Sequence, residues 1–336
     1  MTKVRLVDVA AQAGVSKSTV SQYLSGRFDY MSKDTKERIQ QAIAELNYVP
    51  NSIARSLKTN ITKTIGIIAR DVTGFYTSRT IRGVDDYCKS SDYNVLIYNT
   101  DFDPDKEAQA LNNLRQINVD GIIISPSGTN TDLINNFVKQ GLPIVQFQLE
   151  HDGSEKNIIL SDYKKAAFDA SEYLIQLGHR RICFVTQDFE HVKSRRDRYL
   201  GYCEALAKHG IALDQELIQY WHRGDGFLSS PLSLLEHKNP PTAYFTQHLA
   251  ITSDLLKRLN QTNLKIGEDI SLISFEDIPM VEFFKTPITV IKEDPYKIGM
   301  EAAKSLLGLI QDKSTPPKRL VMPCTLTIRD SCHRVA

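Results

Sequence analysis

The first fifty residues alternate short apolar stripes with residues that begin and end helices. Apolar side chains recur at helical spacing in residues 6–13, 17–24 and 33–46, which predicts three short helices. Gly14 provides a stop after the first of them, and Ser16 provides an N-cap for the second. Because each segment has one apolar face, we expect the three helices to close around a small common core.

The turn between the first two predicted helices is short enough to force a steep crossing. Such a crossing needs a small side chain at the contact and a residue free of steric limits in the turn, and Ala10 and Gly14 meet these needs. With Val20 six residues further on, this is the spacing of a helix-turn-helix, whose second helix enters the major groove of DNA. The polar residues of that helix are candidates for contacts with bases and phosphates: Lys17, Ser18, Thr19, Ser21 and Gln22. The alternative is that they are ordinary polar residues on a solvent-exposed helix.

Beyond residue 60, short β-rich runs alternate with amphipathic helical segments in two successive series. The predicted strands cover residues 64–69, 93–99, 119–125, 143–147, 181–186, 217–221, 242–245 and 270–275. Helices are predicted near residues 80–90, 105–116, 131–140, 164–177, 196–209, 229–235 and 251–259. This pattern predicts an α/β body of two lobes, each a parallel sheet with helices on both faces. Ligands of open parallel sheets bind at the carboxyl ends of the strands.

Charge is distributed unevenly between these two parts of the chain. The whole chain has 41 basic and 40 acidic side chains, but residues 1–60 contain nine basic and five acidic ones, a net charge of +4. A small basic head on a slightly acidic body is typical of a nucleic-acid reader with a separate control domain. Taken alone, this signal also fits a solvated surface.

Composition excludes several classes of protein. With 336 residues, 41% of them hydrophobic and 24% charged, the chain is neither disordered nor fibrous. Apolar runs are far shorter than the roughly 20 residues that span a bilayer, and the N-terminus lacks a secretory signal, so we expect a cytoplasmic protein with no membrane partner. The five cysteines are odd in number and never spaced Cys-x-x-Cys, which favours reduced thiols over disulfides or zinc.

Signatures of catalysis are missing from the sequence. It contains no Gly-x-Ser-x-Gly elbow, no phosphate-binding Gly-x-x-x-x-Gly-Lys loop and no His-Glu-x-x-His pair. We therefore expect no enzymatic activity, no cofactor and no metal site. A sugar-modifying enzyme remains the weakest of the alternatives.

Two segments resemble the head and hinge of the LacI/GalR family of bacterial transcription regulators. They are residues 7–21, VDVAAQAGVSKSTVS, and residues 48–57, YVPNSIARSL. The resemblance extends over the whole chain and implies a helix-turn-helix domain at 1–49, a hinge at 50–60 and an effector-binding and dimerisation domain at 61–336. It further implies a homodimer on double-stranded palindromic operator DNA, with the hinge contributing DNA-binding residues at Asn51, Ala54, Arg55 and Leu57.

Leu57 would then enter the minor groove, where an apolar wedge from each subunit can kink the duplex; otherwise it is a buried linker leucine. Two residues depart from the family pattern, since Gln22 replaces a usual arginine and Ser25 a usual asparagine. These departures imply an altered operator sequence.

The body is similar to type I periplasmic sugar-binding proteins, which hold a small molecule between two lobes. Carrying the family's ligand positions onto this chain gives these effector-binding candidates: Tyr76, Thr77, Arg79, Gln148, Arg198, His248, Glu276 and Glu293. Among them, Gln148 and His248 replace acidic or amide residues and Arg79 adds a positive charge. Since arginine's planar fork suits carboxylate or phosphate groups, these changes favour a sugar acid or sugar phosphate as effector. The alternative is that Arg79, Arg195 and Arg196 are surface charges.

Together these features predict a repressor of carbohydrate-catabolism genes that an effector releases from its operator. A second function remains open, a cytoplasmic small-molecule-binding protein of the same body fold without regulatory DNA binding.

Overall fold

The structure is a computed structural model that describes residues 4–49, 61–151, 157–312 and 314–335. It divides into two compact units, residues 1–62 and residues 63–336.

Residues 4–49 of the first unit form three helices, as the sequence predicts. They are α1 (Leu6–Gln12), α2 (Lys17–Leu24) and α3 (Lys33–Glu45). Gly14 takes a left-handed conformation with φ +62° in the turn between α1 and α2, and the Ser16 hydroxyl accepts a hydrogen bond from the Thr19 backbone at 3.1 Å. A small core holds the helices together, formed by Val9, Ala10, Ala13, Val20, Ile39, Ala42 and Tyr48.

The described strands of the second unit form two six-stranded sheets. The first contains β1 (Thr64–Ala69), β2 (Asn94–Asn99), β3 (Gly121–Ile124), β4 (Ile144–Phe147), β5 (Ile158–Ser161) and β11 (Arg319–Met322). Its order is β11-β5-β4-β3-β1-β2, and neighbouring strands are parallel. The second contains β6 (Ile182–Thr186), β7 (Ile218–Tyr220), β8 (Ala243–Thr246), β9 (Ser271–Phe275), β10 (Thr289–Lys292) and β12 (Thr325–Thr327). Its order is β12-β10-β9-β8-β6-β7, and β12 is antiparallel to β10.

Helices cover both sheets. They are α4 (Phe75–Ser90), α5 (Pro104–Gln116), α6 (Thr131–Lys139), α7 (Tyr163–Gln176), α8 (Lys193–Lys208), α9 (Leu249–Leu259) and α10 (Pro295–Gln311). A separate buried apolar cluster lies on each face of each sheet. This is the layered arrangement that the alternation of strands and helices predicts, so the expected α/β class is confirmed.

The chain crosses between the sheets three times. It passes from β5 through α7 to β6, returns from β10 through α10 to β11, and crosses again to β12. The sequence predictions include neither β5 nor any element beyond residue 275, and the missed elements include the 17-residue helix α10. Strands β5 and β11 pair with each other, as do β10 and β12, and these pairings join segments far apart in the sequence. The segment predicted as a helix at 229–235 is a 3-10 helix, Pro231–Glu236.

Close helix contacts depend on glycine. A Cβ built on Gly299 in α10 would lie 2.1 Å from the Thr80 carbonyl oxygen in α4, and one on Gly83 would lie 2.1 Å from the Tyr296 carbonyl oxygen. Two glycines therefore let the backbones of α4 and α10 meet. This contact fixes α4, whose first turn borders the cavity described below.

Candidate effector cavity and DNA-contact helix

Helix α2 presents a polar face to solvent. Lys17, Ser18 and Gln22 are exposed, Thr19 and Ser21 are half-buried, and Val20 packs in the core. Since Val20 anchors one face of the helix, the opposite face is available to a DNA groove.

The predicted DNA-contact residues of α2 differ in how free their side chains are. The Ser16 hydroxyl lies 2.6 Å from that of Ser18 and 2.8 Å from that of Thr19, so both hydroxyls take part in the N-cap. No described residue pairs with the side chains of Lys17 or Gln22. The hinge residues predicted to contact DNA, namely Asn51, Ala54, Arg55 and Leu57, lie outside the described residues.

The cavity lies at the carboxyl ends of strands from both sheets in the second unit. It has a volume of about 340 Å³. Its walls include residues that directly follow strands: Arg70 after β1, Gln148 after β4, Glu276 after β9 and Glu293 after β10. Both lobes therefore contribute side chains to one binding space, as expected for open parallel sheets.

Seven of the eight predicted effector residues line this cavity, and one does not. Those that line it are Tyr76, Thr77, Gln148, Arg198, His248, Glu276 and Glu293. Arg79 is exposed on α4, and its guanidinium lies 5.4 Å from the centre of the Phe75 ring. The reason is that α4 begins at Phe75 rather than at residue 80, so its first turn borders the cavity while Arg79 belongs to the second. The positive charge expected from Arg79 thus comes from other residues.

Four arginines line the cavity: Arg70, Arg195, Arg198 and Arg223. Burial lowers the pKa of Arg70 to about 10, with a further contribution from the nearby charge of Arg223. Burial likewise lowers the pKa of Arg195 to about 10, and the charge of Arg70 acts in the same direction. Both side chains remain cationic near neutral pH, so the cavity concentrates positive charge.

The sequence predictions do not include Arg70 or Arg223, and they give a surface charge as the alternative for Arg195. A signal for Arg70 was present, because it directly follows the first predicted strand and the carboxyl ends of strands face the ligand. Arg223 lies in a loop after β7, and its guanidinium is 3.7 Å from the centre of the Phe102 ring, which belongs to the loop after β2. That contact joins the two lobes, and no pattern in the sequence near Arg223 or Phe102 predicts it.

Arg198 is held rigidly on the second lobe. Its Nη1 donates to the Gln247 carbonyl oxygen at 2.9 Å, and its guanidinium carbon lies 4.3 Å and 4.2 Å from the ring centres of Tyr163 and Phe275. The side chain is buried, and its Nε has no hydrogen-bond partner among the described residues. A buried guanidinium fixed between rings with an unused donor is suited to a ligand oxygen.

Two buried carboxyl groups face these cations. Burial raises the pKa of Glu276, and it raises that of Glu293 to about 7. The Leu249 backbone donates to Glu276 Oε2 at 3.1 Å, and the Ser161 hydroxyl donates to Glu293 Oε1 at 2.5 Å. Near neutral pH, Glu293 is divided between its acid and its carboxylate forms, so it can donate or accept a hydrogen bond.

His248 is a neutral member of the cavity wall. Burial, together with the surrounding arginines, holds its pKa well below the ordinary value. Its Nδ1 accepts from the Ala250 backbone at 3.1 Å, which places the proton on Nε2, 3.7 Å from Glu276 Oε1. His248 therefore caps α9 and offers a neutral donor rather than a charge.

Tyr76 adds an unused polar group. Its hydroxyl is buried without a hydrogen-bond partner in the described part of the chain. Because a buried hydroxyl normally has a partner, a ligand atom in this cavity would satisfy it.

Other kinds of site find no support in residues 4–49, 61–151, 157–312 and 314–335. These ranges hold no group of three His, Cys, Asp or Glu side chains that could bind a metal ion. They also contain no helix with the length and apolarity needed to cross a bilayer.

A helix-turn-helix head and a two-lobed body with a charged cavity define the class of ligand-responsive DNA-binding regulators. Residues 5–51 match the family of bacterial regulatory proteins of the lacI family, and residues 171–332 match the periplasmic binding protein-like domain. The chain is 34% identical to the probable HTH-type transcriptional regulator EndR of Paenibacillus polymyxa, over 93% of this chain and 92% of that protein. It is 30% identical to the HTH-type transcriptional repressor PurR of Vibrio vulnificus, over 98% of both. The chain therefore belongs to the lacI family.

Structural comparison agrees with this assignment. The fold is similar to that of the lac repressor dimer bound to operator and the anti-inducer ONPF, with a TM-score of 0.85 and 24% identity over 99% of this chain and 100% of that one. The predicted family and fold are thus confirmed, and so is a DNA-binding transcriptional repressor as the kind of protein. The relatives compared are regulators of transcription rather than enzymes.

Proposed function

We propose that this repressor binds a twofold-symmetric operator in the cytoplasm as a homodimer and is released from it by a small anionic effector. The effector class is a sugar acid or sugar phosphate, and the regulated genes serve carbohydrate catabolism. The main support for an anionic effector is that four arginines line one cavity. A carboxylate or phosphate matches the planar donors of a guanidinium in charge and geometry.

The carboxyl groups of the cavity do not cancel this charge. Asp277 is engaged by Arg329 at 3.3 Å and by Lys292 at 3.5 Å, two residues that do not line the cavity. Glu293 is only partly ionised near neutral pH, because burial raises its pKa to about 7. Four arginines thus face little more than the charges of Glu276 and Asp71, which leaves a net attraction for an anion.

The remaining polar groups suit hydroxyls. Glu276 can accept hydrogen bonds, while Glu293 and the Tyr76 hydroxyl can donate or accept them. A volume of about 340 Å³ is at the lower end of the range for small-molecule sites, which supports a ligand of monosaccharide size. Acidic and hydroxyl groups on one small molecule would satisfy both sets of residues.

Regulation requires that effector and operator favour different states of the protein. If the effector weakens operator binding, the operator complex must bind the effector less tightly by the same factor. This reciprocity gives a second measure of the coupling, independent of DNA release.

The test is operator binding measured by fluorescence anisotropy, with DNA from upstream of the protein's own gene and random DNA as competitor. We expect preference for a twofold-symmetric sequence and release on adding D-gluconate or glucose 6-phosphate, but not glucose. Binding that shows no preference for any symmetric sequence would favour the alternative, a small-molecule-binding protein without regulatory DNA binding. Release by glucose but by neither anion would contradict the effector class alone.

A further inference from the structure

Arg70 is held in the cavity wall by two neutral partners. Its Nε donates to the Ser125 hydroxyl at 3.2 Å, and its Nη2 donates to Gln148 Oε1 at 3.0 Å. The Ser125 hydroxyl in turn donates to the same Gln148 oxygen at 3.2 Å. Among the described residues, no carboxylate lies within ion-pairing distance of this guanidinium.

The direction of these hydrogen bonds fixes the orientation of the Gln148 amide. A guanidinium can only donate, so the Gln148 atom that faces it must be the oxygen. The amide nitrogen then has no acceptor in the described part of the chain, although Gln148 lines the cavity. Gln148 therefore places both the Arg70 guanidinium and a free N–H group at the ligand space.

The backbone around Gln148 is firmly determined. Gln148 is buried, has φ +69°, and its carbonyl oxygen accepts from the Tyr163 hydroxyl at 2.8 Å. A non-glycine residue in the left-handed region persists only where its surroundings hold it. The backbone that carries the amide is thus fixed, and the amide oxygen is held by its hydrogen bonds from Arg70 and Ser125.

We propose that Gln148 sets the charge preference of the cavity, because its amide oxygen holds Arg70 in place without neutralising it. The charge of Arg70 then stays available to an anionic effector. This inference rests on the proposed function and names the residue pair that produces the effector class.

The matching substitution is Gln148→Glu, which keeps the shape of the side chain and replaces the amide by a carboxylate. An ion pair with Arg70 at about 3 Å would occupy the guanidinium and add a negative charge beside the ligand. Affinity for an anion should fall roughly tenfold to a hundredfold relative to a neutral analogue. A role of Gln148 in folding alone would weaken both ligands equally.

The experiment is isothermal titration calorimetry of the full-length protein with D-gluconate, glucose 6-phosphate and glucose. The wild type should prefer the anions, and Gln148→Glu should lose that preference. Gln187→Glu is the matched control, since Gln187 lines the same cavity without a hydrogen bond to Arg70. If Gln187→Glu removes the preference as completely as Gln148→Glu does, the effect is the general field of the cavity and the inference is wrong.

Different results would overturn the anionic effector and the role of Gln148. A wild type that prefers glucose would overturn the anionic effector, whereas a preference for anions that persists in Gln148→Glu would overturn only the role of Gln148. If none of the three compounds binds, the role of Gln148 is tested by measuring the melting temperature with and without inorganic phosphate. Phosphate should then raise the melting temperature of the wild type more than that of Gln148→Glu, and equal shifts would reject the inference.

Discussion

The Ser161 hydroxyl donates a hydrogen bond of 2.5 Å to the Glu293 carboxyl group, and this bond joins the two sheets of the body. Ser161 is the last residue of β5 in the first sheet, and Glu293 directly follows β10 in the second. Both are buried, and burial is the main cause of the raised pKa of Glu293, about 7. One partner in this contact between the lobes therefore titrates near neutral pH.

This carboxyl group makes stability depend on pH. The folded protein keeps a proton on Glu293 up to about pH 7, whereas the unfolded chain releases it near the ordinary value of 4.5. The stabilising contribution is complete below pH 4.5 and is lost as the pH rises through about 7. Glutamine at position 293 cannot release a proton, so the Glu293→Gln variant should not lose this stability. Its free energy of unfolding relative to that of the wild type should therefore rise by about 1–3 kcal/mol as the pH increases from 5 to 8.

Urea unfolding of both proteins at pH 5, 6, 7 and 8 measures this difference. Glu236→Gln serves as the control, because Glu236 is exposed in a short 3-10 helix and should leave the pH profile unchanged. Parallel stability curves for the wild type and Glu293→Gln would refute the assignment of the pH dependence to this group.

Alanine substitutions at two glycines of α10 should change the stability of the protein in opposite directions. In Gly299→Ala the new Cβ would lie 2.1 Å from the Thr80 carbonyl oxygen, so the helices must separate and the protein should lose about 1–3 kcal/mol of stability or more. In Gly308→Ala the Cβ meets no atom within 4 Å, and the better helix propensity of alanine should add about 0.5–1 kcal/mol. Urea titration of both variants tests the pair, and a loss of stability in both would contradict the packing argument.

Gln22 is an exposed residue of α2 that can contact a base edge. Its amide can pair bidentately with adenine, so Gln22→Ala should reduce discrimination at one base pair of each half-site by roughly 1–3 kcal/mol. Binding titrations against operators substituted at single positions measure this loss. Gln41→Ala is a suitable comparison, because Gln41 lies on α3 and donates to Glu45 at 2.8 Å. An equal loss of affinity for every sequence would show that Gln22 does not read bases.

The head was predictable because its signals are local. Helical spacing and the cap at Ser16 place α2 at the bounds that the structure shows, and the predicted ends of α1 and α3 differ from the observed ones by a single residue. In the body the predictions stop at residue 275, although α10 has local signals, namely an N-cap at Asp294 and buried apolar residues at helical spacing. Strands such as β10 and β12 are short, and their pairing brings Val290 beside Thr327, a relation that no local pattern records.

The effector cavity was likewise predictable from the sequence only in part. Resemblance to a family gave Arg198, which matches the family's ligand-binding arginine, Glu276, which replaces a family aspartate, and Glu293, which falls near a cleft position. It did not give Arg70, although Arg70 directly follows a predicted strand; only its hydrogen bonds to Ser125 and Gln148, which follow two other strands, have no local signal. Arg79 was expected at the cavity because the resemblance places it among the family's ligand positions, but it lies on the second turn of α4 and does not line the cavity.

Arg198 provides the most direct test of the cavity as the effector site. Arg198→Lys keeps the positive charge but loses the planar fork and the contacts of the guanidinium with the Tyr163 and Phe275 rings. We expect the affinity for D-gluconate or glucose 6-phosphate to fall roughly tenfold to a hundredfold, with a matching rise in the concentration that releases half of the operator complex. Calorimetry and operator anisotropy measure these two quantities, and Arg180→Lys, in an exposed turn, is the control for the substitution itself. Because linkage requires the two changes to agree, an unchanged release curve beside a weakened calorimetric affinity would place the regulatory effector outside this cavity.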